Sequence, residues 1–386
     1  MDGIYMDNAA GTRLLEEVLE EMMPYLTTGY GNPSSIHTAG TAPRKAVETA
    51  RERVADLIGA QPKEIYFTSC GSESNNFALK GAAWGGMKKG RHIVVSSIDH
   101  QSVLYSARAL VRLGWDVTHV GTDDKGFVDP DEVAAAVRED TVVVSVTHAS
   151  NEIGTIEPIR EISARAKEKG ALFHTDAIQA AGVIQVDVDN LGVDMLSLAA
   201  ISFYGPKGAA ALYIREGAKV FSLIDGGIQE RGRRAGTENV PAIAGLGKAA
   251  ELAKRDMALR IAATTVLRDR LMNGLEQAIP KLQVNGDRKK RLPGNVHVSI
   301  EAVEGESMLY SLAGAGVMAA SGSSCADKAL KSSHVLKAIG CDPALANASI
   351  LFSLGFENTE AEVDHVLNVF PPIIERFRSM SPLWKG

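Results

Sequence analysis

The sequence predicts an α/β fold: a large domain on a mostly parallel seven-stranded sheet, then a smaller α+β domain towards the C-terminus. Three observations carry this. Short β-branched runs alternate with helix-length amphipathic stretches from about residue 60 to 215. Most of these runs are apolar throughout rather than alternating, the pattern of strands covered by helices on both faces. Beyond residue 240 a long helical pattern leads to further strands that need a core of their own.

Taken in order, EIYFTS (64–69) is the first strand, and Gly71–Ser72 opens a helix behind it. HIVVSS (92–97), WDVTHV (115–120), TVVVSVTH (141–148), ALFHTD (171–176), DMLSLAA (194–200) and GAAALYI (208–214) complete the sheet. Between them SVLYSARALVRLG and IREISARAKEKG have helical spacing, the second ending on Gly170, a residue suited to a left-handed cap. The stretch 242–279 reads as one long bridging helix. The second unit carries GNVHVSI, GVMAAS and ASILFSLG as strands and TEAEVDHVLNVFPPIIERFRSM as a closing helix. No internal repeat interrupts this order.

Composition narrows the function classes. Hydrophobic residues make up 45% and charged residues 23% of the 386, ordinary for a soluble protein. The net charge of -6 disfavours a nucleic-acid surface, and the one basic cluster, DRKKR at 287–291, reads as a solvated loop. No run approaches the ~18 apolar residues of a membrane span, and no signal peptide follows the acidic start, so a cytoplasmic protein is expected. Cys70, Cys325 and Cys341 form no CxxC pair, consistent with a reducing compartment.

Ligands of parallel sheets gather at the carboxyl ends of the strands. There the chain places Gly71 and Ser72 at a helix start, His100 after the second strand, Asn151 after the fourth, and Asp176 with Gln179 after the fifth. Each alone suits a cap or a core hydrogen bond. Together, a phosphate-binding helix start, an imidazole, an amide and a carboxylate suit a planar, phosphorylated nitrogen heterocycle, because a carboxylate beside a ring nitrogen keeps it protonated.

YMDNAAGTR, GNPSSIHTAG, TSCGSESNN, SNEIGTIEPI, HTDAIQAAG, FYGPKG, GGIQERGRRAGTENV and SGSSC resemble, over essentially the whole chain, the cysteine desulfurases of the NifS/IscS type. The resemblance implies the fold-type-I, class V aminotransferase-like fold, pyridoxal 5'-phosphate as cofactor, a homodimer, and supply of sulfur from L-cysteine to an IscU-type scaffold in iron–sulfur cluster assembly. By matching position, His100 stacks on the cofactor ring, Asp176 pairs with its nitrogen, and Gln179 and Asn151 contact its ring hydroxyl. Gly71 and Ser72 hold the phosphate, with Thr237 reaching it from the other subunit. Cys325 is the sulfur-accepting cysteine. The expected division is an N-terminal arm at 1–15 packing with the small domain, a large domain at 16–257, and a small domain at 258–386 that carries the Cys325 loop.

The chain departs from that pattern at four positions. Ser202 stands where the family has its Schiff-base lysine, and Ala199 and Ile201 where it has a serine and a histidine near the phosphate. Leu351 replaces the arginine that clamps the substrate carboxylate. Lys207 is no substitute, since the family has a lysine in that turn as well. Losing the lysine removes the covalent anchor and a general acid/base worth roughly 10²–10⁴ in rate. Cys70 also stands where the family often has glycine, next to the phosphate turn.

Two readings follow. In one, the chain is a desulfurase of impaired turnover that carries sulfur on a Cys325 persulfide. In the other, it is a non-catalytic dimeric partner of the scaffold, with sulfide as a source and Cys325 as sulfur carrier or transient ligand of a 2Fe–2S cluster shared with that partner. A pyridoxamine phosphate enzyme is a third, weaker one, because relatives lacking the lysine usually have histidine there. The segment SPLWKG offers Trp384 either for docking the scaffold or for packing on its own domain.

Overall fold

A computed structural model describes residues 3–321 and 333–385 of the chain. The strands in chain order are β1 (Ile4–Tyr5), β2 (Ile65–Thr68), β3 (His92–Ser96), β4 (Asp116–Val120), β5 (Thr141–Ser145), β6 (Leu172–Asp176), β7 (Met195–Ala199), β8 (Ala210–Ile214), β9 (Leu282–Val284), β10 (Asn295–Ile300), β11 (Val317–Met318) and β12 (Ser349–Ser353).

The central sheet has seven strands in the order β2-β8-β7-β6-β5-β3-β4. β8 runs antiparallel to β7 and β2, and the remaining pairs are parallel. β7 and β8 are joined by the turn at 200–209 and can pair as a hairpin, whereas parallel neighbours need a crossover. Alternate residues of one strand enter different cores, as a two-residue period requires. Val94, Val144, Phe173 and Leu196 pack on one face. Ile93, Val95, Val143 and Met195 pack on the other. Both faces are covered, so apolar residues run unbroken over Ile93, Val94 and Val95 in β3 and over Val142, Val143 and Val144 in β5.

The helix Val240–Ala278 links the two cores. Its first half lies on helix α2 (Thr41–Ile58), so closely that a Cβ on Gly247 would come 2.5 Å from Ala50 Cα. Its second half gives Leu267, Leu271, Met272 and Leu275 to a smaller core with Val296, Val298, Ile350 and Phe352. The antiparallel sheet β12-β10-β9 and the helix Glu360–Met380 complete that core, with Phe352 and Phe370 edge to face at 5.7 Å. The N-terminal segment joins it too: β1 pairs with β11, Met6 is fully buried there, and the Ala9 N–H donates to Ser353 Oγ at 2.8 Å.

Two surface features settle into internal contacts. In the basic loop, Arg291 is buried and donates to the Ile153 and Asn285 carbonyls, while Arg288 pairs with Glu276. Trp384 is half-buried, with the Arg378 guanidinium 3.9 Å and Lys281 Nζ 5.0 Å from its ring centroid. Its ring therefore stacks on its own chain. Among the described residues, no helix is long and apolar enough to cross a membrane.

Candidate active site

The carboxyl edge of the sheet gathers most of the polar residues singled out above. β2 runs through Ser69 and Cys70 into helix α3 (Gly71–Gly86), whose first N–H groups have no partner within the helix. Gly71 is required by close approach, since a Cβ there would lie 2.1 Å from Ile178 Cδ1. Ser72 is exposed at this helix start. Glu73 in the first turn accepts from the Ser69 N–H and from Arg234 Nε, both at 2.9 Å. Burial alone would raise its carboxyl, but the Arg234 and Ser69 donors hold it below the usual range.

Helix α4 (Gln101–Val111) begins after β3, and His100 is its N-cap, accepting the Ser102 N–H on Nδ1. Ser102 Oγ lies 2.7 Å from the same nitrogen and accepts from Asn75 Nδ2 at 2.8 Å. Asn75 Nδ2 also donates to Asp176 Oδ2 at 2.7 Å, while the Ile178 N–H donates to Asp176 Oδ1 at 3.0 Å. His100, Ser102, Asn75 and Asp176 thus form one hydrogen-bonded chain. Burial raises the Asp176 carboxyl, opposed by the charge of His100 and by these donors. A positive ring nitrogen beside Asp176 would relieve that burial penalty.

A pocket of about 90 Å³, which none of these four residues lines, is bounded among others by Asn8, Asn151, Gln179, Ser202, Tyr204, Arg260 and Phe356. Gln179 Nε2 donates to the Ala9 carbonyl at 3.0 Å, tying the N-terminal segment over the strand ends. Next to Asn151, Glu152 is buried and accepts from Ser333 Oγ, and burial pushes its carboxyl up to about 7.

The β7 turn keeps its backbone form. Tyr204 has φ 67, and its hydroxyl accepts the Phe356 N–H at 3.0 Å. Thr12 donates to the Ile201 carbonyl from its N–H at 2.9 Å and its Oγ1 at 2.8 Å. Ser202 Oγ is buried with no hydrogen-bond partner among the described residues. Ala199 Cβ lies 3.8 Å from where a Gly71 Cβ would be, so its methyl faces the helix start. Leu351 is 5% exposed and its backbone pairs with Ala320. Lys207 is exposed and, like every other lysine among the described residues, is absent from the pocket lining.

Thr237 is exposed and does not line this pocket, and Cys325 lies outside the described residues. Cys70 is exposed at the N-cap of α3, and Cys341 is half-buried with its thiol raised by burial. The described residues contain no metal-binding cluster of His, Cys, Asp and Glu. Asn75, Ser102 and Glu152 are participants that sequence reasoning missed. The signal for Asn75 was its place one helical turn after Gly71, on the same face of α3.

A buried carboxylate joined to a capping imidazole, beside a helix start at the edge of a largely parallel sheet, is the frame of the fold-type-I pyridoxal phosphate enzymes. The chain belongs to the aminotransferase class-V family, whose model matches residues 4–366, and within it to the IscS/NifS-like cysteine desulfurases. It is 49% identical over 380 residues to cysteine desulfurase IscS of Methanosarcina thermophila, covering 98% of this chain and 94% of that protein. To cysteine desulfurase IscS of Clostridium botulinum it is 47% identical over 384 residues, covering 99% and 97%. Among solved structures it is similar to a NifS-like protein, with a TM-score of 0.90, 37% identity and coverage of 97% and 100%.

Such relatives imply pyridoxal phosphate. The residues fit its ring: a buried carboxylate for the nitrogen, an imidazole linked to it through Ser102 and Asn75, and amides at Asn151 and Gln179. They do not fit a covalent attachment, because the one side chain at that point is a hydroxyl. At the phosphate end Ile178 and Ala199 leave mainly backbone N–H donors.

Proposed function

We propose that this chain is a homodimeric cytoplasmic protein of iron–sulfur cluster assembly. It takes sulfur from L-cysteine onto Cys325 as a persulfide and passes it to an IscU-type scaffold, with its own turnover impaired. The unpartnered Ser202 hydroxyl, in place of an amine, is the observation that carries the reading.

On this reading Asp176 holds the proton of the cofactor nitrogen, His100 covers the ring, and Asn151 and Gln179 orient its hydroxyl. Gly71, Ser72 and a partner-subunit Thr237 hold the phosphate. When bound, the cofactor supplies an electron sink for the substrate. The Cys325 thiolate takes the substrate sulfur and the carbon skeleton leaves as alanine. The missing part is a base for the substrate α-proton: a serine hydroxyl neither holds nor returns a proton near neutral pH without a partner, and Ser202 has none. Exposed Tyr30, Ile36 and Ile228 supply apolar surface that a second copy would cover.

The loss of both Ser202's and Leu351's polar predecessors favours a second reading, in which the dimer docks the scaffold without catalysis. Cys325 then carries sulfane sulfur received from another persulfide by thiol exchange, the donor leaving as its thiolate, or briefly ligates a 2Fe–2S cluster shared with the partner. Alanine formation from cysteine by purified protein, with pyridoxal phosphate added and a Ser202→Lys variant alongside, separates the two. Impaired turnover predicts a slow parent rate above the cofactor-only control, raised roughly 10²-fold or more in the variant. A parent rate equal to the control excludes the first reading.

A further inference from the structure

The pocket beside Ser202 holds a feature that the family resemblance does not account for. Among the described residues, Arg260 is the one formally charged side chain lining it, and no carboxylate does. A carboxylate entering there meets this cation, whose partner Asp256 lies outside the lining.

Arg260 is free to bind an anion. Its contact with Asp256 is a single nitrogen at 3.2 Å, while both Asp256 oxygens are taken by Arg255 at 2.7 and 2.9 Å. Its side chain is 13% exposed, and the guanidinium lies over the rings of Phe356 at 4.4 Å and Tyr204 at 5.6 Å. Those rings fix the plane of the fork before any ligand arrives, which reduces the ordering cost of binding. Ser353 to Phe356, the end of the strand that carries Leu351, form another wall, and Ser202 lines the same pocket, its Oγ buried.

We propose that Arg260 is the carboxylate-binding residue of this chain, receiving the α-carboxylate of an amino acid in place of the arginine lost at Leu351. The inference rests on the reading of this pocket as the L-cysteine site. A planar guanidinium matches a carboxylate through two parallel N–H···O bonds, and Ser202 Oγ can accept from the ligand's ammonium or donate to its carboxylate.

The test is calorimetric titration of the purified protein with L-alanine, which has the carboxylate but no sulfur, against L-alaninamide, which lacks the charge. Arg260→Gln is expected to weaken alanine binding by about 10- to 100-fold, Arg260→Lys by less, and alaninamide to bind the parent at least tenfold more weakly than alanine. Thermal melts of both variants check that the fold is kept. Equal alanine affinity in parent and Arg260→Gln, equal affinity for alaninamide, or no alanine binding by the parent overturns the proposal. Inorganic phosphate displacing alanine more effectively than acetate would overturn the carboxylate assignment. Arg260-dependent alanine binding without alanine formation from cysteine leaves this site standing and removes the desulfurase reading. Alanine formation with KM unchanged in Arg260→Gln does the reverse.

Discussion

Asp176 of β6 and Ser197 of β7 are neighbours in the sheet, yet the polar groups just past these two strand ends fare very differently. Beyond β6 the carboxylate takes donors from Asn75 and Ile178, and Asn75 extends the chain to Ser102 and His100. Beyond β7, Ser202 keeps a hydroxyl that nothing among the described residues meets, between Ile201 and Phe203. The backbones of both ends are equally well held. The β7 turn depends on Thr12, on the Phe356 contact and on the left-handed Tyr204, none of which involves the side chains at 199, 201 or 202. Reactive side chains can therefore be exchanged without disturbing the frame, whereas the β6 network is frame and site at once.

The largest effect expected from this contrast is at Asp176. Asp176→Ala leaves the Asn75 amide and the Ile178 N–H buried without an acceptor, and should destabilise the fold by about 2–4 kcal/mol in urea denaturation. Asp176→Asn keeps an acceptor, removes the buried charge, and should stay within ~1 kcal/mol of the parent. Equal losses in both variants would mean that charge, not hydrogen bonding, holds this end together.

Glu152 sharpens the comparison through pH. Its folded-state pKa is raised from 4.5 to about 7 by burial. A raised pKa means the contribution is complete below the unfolded value and is lost as pH rises through the folded one. Stability should thus fall between about pH 4.5 and 7 by about 3 kcal/mol from this group, then level off. Buried His148, lowered to about 4, acts oppositely, losing stability as pH falls from 6.5 towards 4. Glu152→Gln isolates the first term, since its amide oxygen still accepts from Ser333. Denaturation at pH 5 and pH 8 should show a smaller loss in the variant; identical losses would remove Glu152 as the cause.

The smallest effect is at Ser202. Removing an unpartnered buried hydroxyl should be neutral or stabilising, so Ser202→Ala is expected to gain up to ~1 kcal/mol. A loss of more than that would mean the hydroxyl has a partner, and the contrast between the two strand ends would collapse.

Much of this was legible beforehand because it is local. The sheet strands were visible as apolar runs, with ends shifted by a residue or so, as at 194–200 against Met195–Ala199, and by more at 141–148 against Thr141–Ser145. The single helix expected at 242–279 is Val240–Ala278. That position 202 is a serine and position 351 a leucine is a matter of identity and needed no coordinates. Tertiary structure alone decided what these side chains meet. Asn75 reaches Asp176 across 101 positions, and Arg260 and Ser202 line one pocket although they belong to a helix and a strand turn far apart in the chain. Periodicity reports which face of an element is buried, but a hydrogen bond or a shared pocket depends on how distant elements are set against each other. That depends on the packing of the two cores around one helix.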